Sequence, residues 1–344
     1  YEWNKLRIEQ SAVGVVIHVT EKDAFIKAIG IGKVMENIFG LIGYKGILSQ
    51  AGLIARQLIK QVGGLQGARV FKIPGVRRLI NDKSALKSFS RSDALSLIGG
   101  KDPNNPKANF EDHYYLYVEA REPGTKLDAK DVFSYLVGNG IFRIGMDLKC
   151  PKCLLEDWHS IDSLKQYVTC NLCGYSFDSS RQLVNADWHY RKSGLIGKEK
   201  HSLGAIPVTL VLQQLDTNLF GSSDNTLYTT SHNLIAKEGT TLDECEIDFI
   251  WMIKSYHPKR TQIILAECKA NGWDNISNFK KDIDKLQQVA SALPRNRFQP
   301  FILLSKLREF TQEEIDALSI LPEDQLARII LLTDIELEPY HFYE

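Results

Sequence analysis

Two pairs of cysteines constrain this chain more than any other feature of its sequence. Each pair has the form Cys-x-x-Cys, at Cys150 and Cys153 and again at Cys170 and Cys173, and sixteen residues separate the pairs. Two thiolates two residues apart can bind one metal ion from a tight turn, and two such turns complete a tetrahedral site of four sulfur ligands. The spacing lies within the range of such zinc sites. The sequence therefore predicts a zinc ribbon over residues 150–190.

Other uses of these cysteines have less support. Disulfides would need an oxidising compartment, whereas the composition (44% hydrophobic, 24% charged) indicates an intracellular protein, and we expect a cytoplasmic one. A redox motif would not need a second copy. A complete thiolate shell leaves no open coordination position, so the zinc is expected to be structural and not catalytic. Cys245 and Cys268 lie in apolar segments and are predicted to be buried.

The net charge of zero conceals an uneven distribution along the chain. Residues 1–149 hold 22 Lys+Arg against 15 Asp+Glu, an excess of +7, whereas residues 201–344 hold 13 against 21, an excess of −8. Within 45–91, ten basic residues accompany one acid, Asp82. Clustered positive charge attracts a phosphate backbone, although a solvated helix face is the alternative. The predicted nucleic-acid contacts in this region are Arg69, Lys72, Arg77 and Arg78.

No uncharged apolar stretch approaches the roughly 20 residues that a membrane-spanning helix needs, so we expect no membrane partner. Since the first residue is Tyr1 and not methionine, a longer protein with a preceding targeting segment stays an alternative.

Apolar spacing and turn residues predict the elements of the first half of the chain. The predicted elements are a helical stretch over 24–62, a strand or loop over 68–80, strands over 113–119 and 141–148, and a helix over 128–137. The turn-rich run Lys101–Pro106 is a candidate boundary. The predicted domains are a mainly helical basic region over 1–105, a small α+β segment over 106–149, the ribbon over 150–190 and a last domain over 200–344, with an aromatic and basic linker over 187–194.

The last domain has a regular order of predicted elements. They are a helix over 203–219 with Pro207 in its first turn, strands over 227–236, 244–253 and 262–270, a helix over 275–293, a strand over 298–304, a helix over 311–321 and a strand over 327–333. This order, α-β-β-β-α-β-α-β, predicts a mixed sheet flanked by helices, and hence an α/β (α+β) fold class.

Two strands of this domain carry acids where apolar residues are expected. Glu246 and Asp248 alternate with Cys245, Ile247 and Phe249, and Glu267 and Lys269 share one face of the next strand. If the strands form a hairpin, Asp248 can lie beside Glu267. Two adjacent carboxylates repel each other, and a divalent cation relieves that repulsion. A lysine beside them can orient water or stabilise a phosphorane, so the set fits phosphodiester hydrolysis; charged edge-strand residues are the alternative.

Residues 203–333 resemble the PD-(D/E)XK, or restriction-endonuclease-like, nuclease superfamily. Asp248 matches the isolated aspartate of its motif, and Glu267-Cys268-Lys269 matches the (D/E)XK tripeptide. The run Cys245–Asp248 is similar to the Glu-x-Asp strand of Holliday-junction-resolvase-like and restriction-type members. The resemblance implies a restriction-endonuclease-like fold, Mg²⁺ or Mn²⁺ bound by Asp248 and Glu267, and Lys269 acting on the attacking water.

The sequence departs from the family at the first helix, where many members add a glutamate. Here that helix offers Gln213 and Gln214, so Glu246 is the candidate for the additional acid. On the helix after the motif, Lys280 and Lys281 are predicted to contact the substrate, with a solvated face as the alternative.

Together these features predict a metal-dependent endonuclease acting on DNA, the effector of a prokaryotic phage-defence or restriction system. Zinc ribbons beside such nucleases suggest that context by analogy. The alternative is a catalytically inactive nucleic-acid-binding or assembly module that uses the ribbon and the basic region 45–91. A partner subunit or an upstream domain is a further expected partner in either case.

Overall fold

The structure, a computed structural model, divides into two compact units. The first unit comprises Tyr1–Arg56 and Pro207–Leu337, and the second comprises Gln57–Ile206. The residues that the structure describes are 6–9, 12–16, 26–101, 109–118, 124–193, 196, 199–219, 225–239, 243–254, 260–322, 325 and 328–337. The predicted boundary at 106 lies outside them.

Strands and helices are numbered here in chain order. The strands are β1 (Leu6–Glu9), β2 (Ala12–Val16), β3 (Ile26–Ile29), β4 (Tyr44–Leu48), β5 (Phe89–Ser90), β6 (Phe142–Lys149), β7 (Glu156–Ser160), β8 (Tyr167–Thr169), β9 (Ser176–Asp178), β10 (His189–Lys192), β11 (Asn225–Ala236), β12 (Cys245–Lys254), β13 (Thr261–Lys269), β14 (Phe298–Lys306) and β15 (Ile329–Leu332). The α-helices are α1 (Ile31–Gly40), α2 (Gln50–Gln61), α3 (Pro74–Asp82), α4 (Arg91–Gly99), α5 (Ala129–Gly138), α6 (Ser180–Asn185), α7 (Glu199–Leu219), α8 (Ile276–Ala292), α9 (Gln312–Ser319) and α10 (Asp334–Leu337). Short 3-10 helices cover Gly67–Lys72, Phe110–His113 and Ile161–Ser163.

A mixed six-stranded sheet forms the centre of the first unit. Its strands lie in the order β15-β14-β13-β12-β11-β4. The pairs β4–β11, β11–β12 and β12–β13 are antiparallel. The pairs β13–β14 and β14–β15 are parallel. A separate antiparallel sheet joins β1, β2 and β3. The prediction of a mixed sheet with helices is confirmed, and the predicted element order over 203–333 is found.

Helix α8 follows directly from its sequence pattern. Phe279, Ile283, Leu286 and Val289 recur every three or four residues and are all buried against the sheet. At the start of the helix, Asn275 Oδ1 accepts a hydrogen bond of 2.9 Å from the Asn278 amide. The helix therefore begins directly after the turn that follows β13, which places its first turns beside the end of that strand.

The helical prediction for 24–62 is wrong at its start, where Ile26–Ile29 form β3, and in its middle. Gly43, with a φ of +84°, ends the turn after α1, and the chain then forms β4, which pairs with β11 from Tyr44↔Ala236 to Leu48↔His232. Apolar spacing did not reveal this strand because it depends on a partner nearly 190 residues away. The predicted domain over 200–344 therefore omits β4 and α1, which belong to the same unit.

In the second unit, the predicted linker over 187–194 contains an inner strand. Strand β10 lies between β5 and β6 in a sheet of order β5-β10-β6-β7. Tyr190 packs against Phe89 and, edge to face with centroids 4.8 Å apart, against Phe133. The Asp147 carboxylate on β6 binds His189 Nδ1 and accepts a hydrogen bond of 2.6 Å from Ser88 Oγ. Aromatic packing and this polar contact hold β10 inside the sheet.

Two more elements of the second unit differ from the predictions. Residues 68–80 form a 3-10 helix and α3 instead of a strand or loop, because Pro74 occupies the first helical turn and Leu79 and Ile80 are buried. The predicted strand over 113–119 is a 3-10 turn and an extended segment up to Val118. Its burial alternates, with Tyr115 and Tyr117 exposed, but its backbone hydrogen bonds are local or reach Leu127.

Pro207 lies inside α7 and not in its first turn, because the helix begins at Glu199. Within the described residues, no helix is both long and apolar enough to cross a membrane.

Gly52 supplies a test of how closely α2 meets the sheet. A Cβ at this position would lie 2.3 Å from the Ser231 carbonyl oxygen on β11. Because that oxygen belongs to the backbone, the clash could be relieved only by a movement of the main chain. We expect Gly52→Ala to destabilise the protein by about 2–3 kcal/mol, as overpacking does. Gly32→Ala, where nothing lies within 4 Å of the added atom, is the matched control. Urea denaturation that finds the two variants equally stable would contradict this packing.

Candidate functional site

The hairpin of β12 and β13 brings the predicted acids together. Phe249 lies opposite Ala266 in this antiparallel pair, so the next residues in register are Asp248 and Glu267. The Asp248 carboxylate also joins the strands directly, because its Oδ2 accepts a hydrogen bond of 2.7 Å from the Cys268 amide. The predicted proximity of the two acids is thus a consequence of strand pairing.

The predicted alternation at the start of β12 is found in the burial of its residues. Cys245, Ile247 and Phe249 are buried, whereas Glu246 is exposed and Asp248 is half-buried. The pairing with β11 keeps one register on both sides of Asp248, from Thr230↔Phe249 to His232↔Ile247.

Lys269 and Glu267 form an ion pair at the end of β13. Glu267 is buried, with 7% of its surface exposed, and its Oε1 accepts a hydrogen bond from Lys269 Nζ. A third acid, Asp282 on α8, places its Oδ2 3.7 Å from the same ammonium. The side chain of Lys269 is 34% exposed. Its ammonium therefore contacts the buried Glu267 carboxylate while part of the side chain reaches the surface.

Burial dominates the electrostatics of this cluster. It raises the pKa of Asp248 from 3.8 to about 6, although the Cys268 amide and the Lys269 ammonium oppose the shift. Burial, reinforced by the Asp248 charge, raises the pKa of Glu267 well above 4.5. Burial alone would lower the pKa of Lys269, but the charges of Glu267, Asp248 and Asp282 outweigh it and raise that pKa. Two acids are therefore held where a second negative charge is unfavourable.

Glu246 lies outside this ion-paired group. Its side chain is exposed, and its Oε1 accepts a hydrogen bond of 3.0 Å from Ser231 Oγ. Ser231 Oγ in turn accepts one of 2.8 Å from Ser49 Oγ, which itself accepts from the Gly52 amide at 3.0 Å. These three hydrogen bonds run from the first turn of α2 to Glu246. The Glu246 carboxylate is therefore held by Ser231 on β11, which is itself held by Ser49 at the end of β4.

Lys280 and Lys281 are exposed on α8, beside an open groove. The groove is lined by three lysines, two aspartates and three uncharged residues: Lys280, Lys281, Lys285, Asp243, Asp284, Ile276, Ser277 and Gln288. The two predicted substrate contacts are thus on the helix that carries Asp282, in a groove that holds both ammonium and carboxylate groups.

The basic residues predicted to bind nucleic acid in the second unit serve the fold in part. Lys72 is buried, and Arg77 donates to the carbonyl oxygens of Phe71 and Lys72 at 3.0 and 2.7 Å. Arg78 donates to the carbonyls of Leu97, Gly100 and Lys101 at the end of α4, where a cation also meets the negative end of the helix dipole. Nucleic-acid contacts at these positions and at half-buried Arg69 stay a prediction.

The four paired cysteines form a compact cluster. Cys150 and Cys153 lie in the turn between β6 and β7, and Cys170 and Cys173 in the turn between β8 and β9. The four Sγ atoms lie within 4.8 Å of one another, with Cys150 3.6 Å from Cys173 and Cys153 3.8 Å from Cys170. Sulfur atoms around a tetrahedral zinc with bonds of about 2.3 Å lie roughly 3.8 Å apart, whereas a disulfide needs about 2.05 Å.

The two cysteine turns have the same backbone pattern. The Leu154 amide donates to the Cys150 carbonyl, and the Gly174 amide donates to the Cys170 carbonyl, both at 2.9 Å. Leu154 and Gly174 also share a positive φ, of +62° and +72°. Burial would raise the pKa of the Cys150 thiol, but hydrogen bonds from the backbone of Cys153 and Lys152 lower it to about 7. The Leu155 amide would lower the pKa of Cys153, but burial and hydrogen bonds with the other three cysteines raise it to about 12, so the first turn favours the thiolate, the form that binds a metal, at Cys150 alone.

Sequence reasoning missed Asp282 and the residue that contacts it, Trp273. Trp273 Nε1 donates a hydrogen bond of 2.9 Å to Asp282 Oδ2. Asp282 interrupts none of the apolar positions of α8, so helical periodicity treats it as an ordinary surface residue. Its position after the Glu267–Lys269 motif, on the helix that packs beside β13, is the signal that could have identified it.

Asp248→Asn tests the electrostatic character of the cluster. The folded pKa of Asp248, about 6, exceeds an unfolded value of about 3.9, so folding stability is lost as the pH rises through about 4 to 6. Asparagine keeps an oxygen for the Cys268 amide but carries no charge. Without added divalent cations we expect it to stabilise the protein by about 1–2 kcal/mol at pH 7.5 and not at pH 4.

Urea denaturation at the two pH values measures this difference, with exposed Asp274→Asn as the control. Equal effects of Asp248→Asn at both pH values, or a loss of stability at pH 7.5, would contradict the assignment.

No protein-family model matches the sequence, and no curated protein matches it. Among solved structures, the crystal structure of protein VC1899 from Vibrio cholerae is similar, with a TM-score of 0.39 and 11% sequence identity. The alignment covers 96% of this chain and 65% of that chain, so this chain spans about two thirds of the length of VC1899.

Proposed function

We propose that the chain is a metal-dependent endonuclease of the PD-(D/E)XK type that hydrolyses phosphodiester bonds of DNA. One observation carries the proposal: Asp248 and Glu267 adjoin Phe249 and Ala266, the last pair of the β12–β13 ladder, and the Lys269 ammonium is bound to Glu267. Burial raises the pKa of both acids, and the Asp248 charge raises that of Glu267 further, which is typical of sites shaped for a reaction or a cation.

The arrangement of elements supports the same proposal. The strands that carry the acids lie in the middle of the sheet, with antiparallel β11-β12-β13 followed by the parallel neighbour β14. Helix α7 precedes them in the chain and α8 connects β13 to β14. This order agrees with the expectation from the resemblance over 203–333.

Asp248 and Glu267 would hold Mg²⁺ or Mn²⁺, because hard divalent cations prefer carboxylate oxygens. The bound cation would supply Lewis acidity and a more acidic water. The hydrogen bond from the Cys268 amide uses Oδ2 of Asp248, so its Oδ1 is the oxygen proposed for this role. Lys269 would orient the attacking water and offset negative charge on the phosphate, because its raised pKa keeps it protonated at neutral pH.

DNA is the proposed substrate because the groove beside α8 carries Lys280, Lys281 and Lys285. These ammonium groups offer phosphate contacts close in the fold to the acids, in a domain whose overall charge is negative. The basic region 45–91 and the ribbon would add contacts. An effector role in prokaryotic phage defence or restriction is proposed from the pairing of ribbon and nuclease motif.

A binding or assembly module without activity is the second candidate. It is favoured by one observation: among the described residues, the four cysteines are the one set of three or more metal-binding side chains that lies close enough to hold an ion. The glutamine positions Gln213 and Gln214 on α7 offer no acid to complete the site, and Glu246 is bound by Ser231. In this reading the ribbon and basic surfaces hold a partner.

Plasmid cleavage decides between the two candidates. Purified protein with Mg²⁺ or Mn²⁺ is expected to nick or linearise supercoiled plasmid, and Asp248→Asn, Glu267→Gln and Lys269→Met are each expected to lower the rate at least about 100-fold. Asp316→Asn, an exposed change on α9, should cleave at the wild-type rate. Absence of cleavage by the wild type, or equal cleavage rates in all variants, would contradict the nuclease proposal and favour the binding or assembly module.

For the four cysteines we propose one structural zinc ion. The purified protein is expected to contain about one zinc per chain, and Cys153→Ser to lose it, because three thiolates bind more weakly than four. Cys245→Ala, a change at a cysteine that is not one of the four, should retain zinc. Elemental analysis of folded fractions from size exclusion measures both, and full zinc in Cys153→Ser would contradict the four-sulfur site.

A further inference from the structure

One contact reaches the Lys269 ammonium from outside the motif strands. Asp282 Oδ2 lies 3.7 Å from Lys269 Nζ, and the same oxygen accepts the hydrogen bond of 2.9 Å from Trp273 Nε1. Trp273 belongs to the turn that joins β13 to α8, four residues after Lys269. The lysine and the indole therefore both contact the same aspartate oxygen, which links them beside the end of β13.

The indole of Trp273 is held by packing and not by its hydrogen bond alone. Its ring meets Phe279 edge to face, with centroids 4.8 Å apart, and lies 6.4 Å from the Phe310 ring. The turn before it uses Gly272 with a φ of +96°, a conformation that other residues rarely adopt. The N–H group thus points at Asp282 from a position that the aromatic core determines.

We infer that Asp282 and Trp273 are positioning residues for Lys269: Trp273 fixes the Asp282 carboxylate, and Asp282 offers the ammonium a second anionic partner. This inference rests on the proposed function, in which Lys269 acts on the attacking water. The physical reason is that the Lys269 ammonium and a bound cation would compete for the same Glu267 carboxylate. A carboxylate oxygen that binds a cation cannot keep its full hydrogen bond to an ammonium, so Lys269 needs another carboxylate within reach.

The geometry suits that exchange. Lys269 touches Glu267 now and stands at the edge of ion-pair distance from Asp282. Asp282 is 29% exposed, so its charge costs less to hold than that of buried Glu267. A small movement of the flexible lysine side chain moves its ammonium from one acid towards the other, while the helix and the indole hold Asp282 still.

The indole N–H resonance of Trp273 tests the contact without any measurement of cleavage. The chain has five tryptophans, and the signal that disappears in Trp273→Phe identifies the indole of Trp273. Asp282→Asn and Lys269→Met are expected to shift this signal in ¹⁵N–¹H spectra of the full chain, since the first removes the charge of the acceptor and the second removes the ammonium beside it. Exposed Asp274→Asn, in the same turn, should not. An unchanged signal in Asp282→Asn and Lys269→Met would overturn the inference.

Cleavage kinetics test the role. Trp273→Phe keeps the aromatic packing but removes the donor, and we expect it to lower kcat about 10-fold with KM within about 2-fold. The double variant Trp273→Phe/Asp282→Asn should be no slower than Asp282→Asn, because the indole acts through Asp282. Losses that multiply, or a wild-type kcat in Trp273→Phe, would overturn the inference. A wild type that cleaves nothing would instead refute the proposed function, and the indole signal would still test the contact.

Discussion

The pairing of β12 with β13 is the interaction on which the candidate site depends. It brings Asp248 close to Glu267, which is buried, and desolvation disfavours the charged form of both acids. The structure offsets this with a hydrogen bond from the Cys268 amide and the ammonium of Lys269. A third acid, Asp282, lies within ion-pair distance of the same ammonium and adds its own negative charge to the cluster.

The surrounding elements provide rigidity where the site needs it. Helix α8 is fixed to the sheet by its buried apolar face, and it carries Asp282 on one side and the lysines of the groove on another. On the far side of β12, the chain of hydroxyl groups from Ser49 to Ser231 holds Glu246. The acids therefore sit between two supports, an aromatic and helical one at β13 and a polar one at β11.

The second unit shows a different balance between local and distant interactions. Its cysteine turns repeat one backbone pattern, so the sulfur atoms converge from two short hairpins. Its basic residues are less uniform. Arg77 and Arg78 bind carbonyl groups of their own chain, and a count of positive charge does not distinguish such residues from those that face solvent.

The sequence alone determined what depends on neighbours in the chain: the two cysteine turns, helix α8, the strands β11 to β14, and the acids and lysine on β12 and β13. These follow because a hydropathy period or a ligand spacing is a local property. Only the tertiary structure decided that β4 joins the sheet beside β11, that residues 189–192 form an inner strand, and that Asp282 and Trp273 reach Lys269. Periodicity reports which face of an element is apolar, but the partner that covers that face is chosen by packing between distant segments, and a polar residue on a helix acquires its role only from what the fold brings to it.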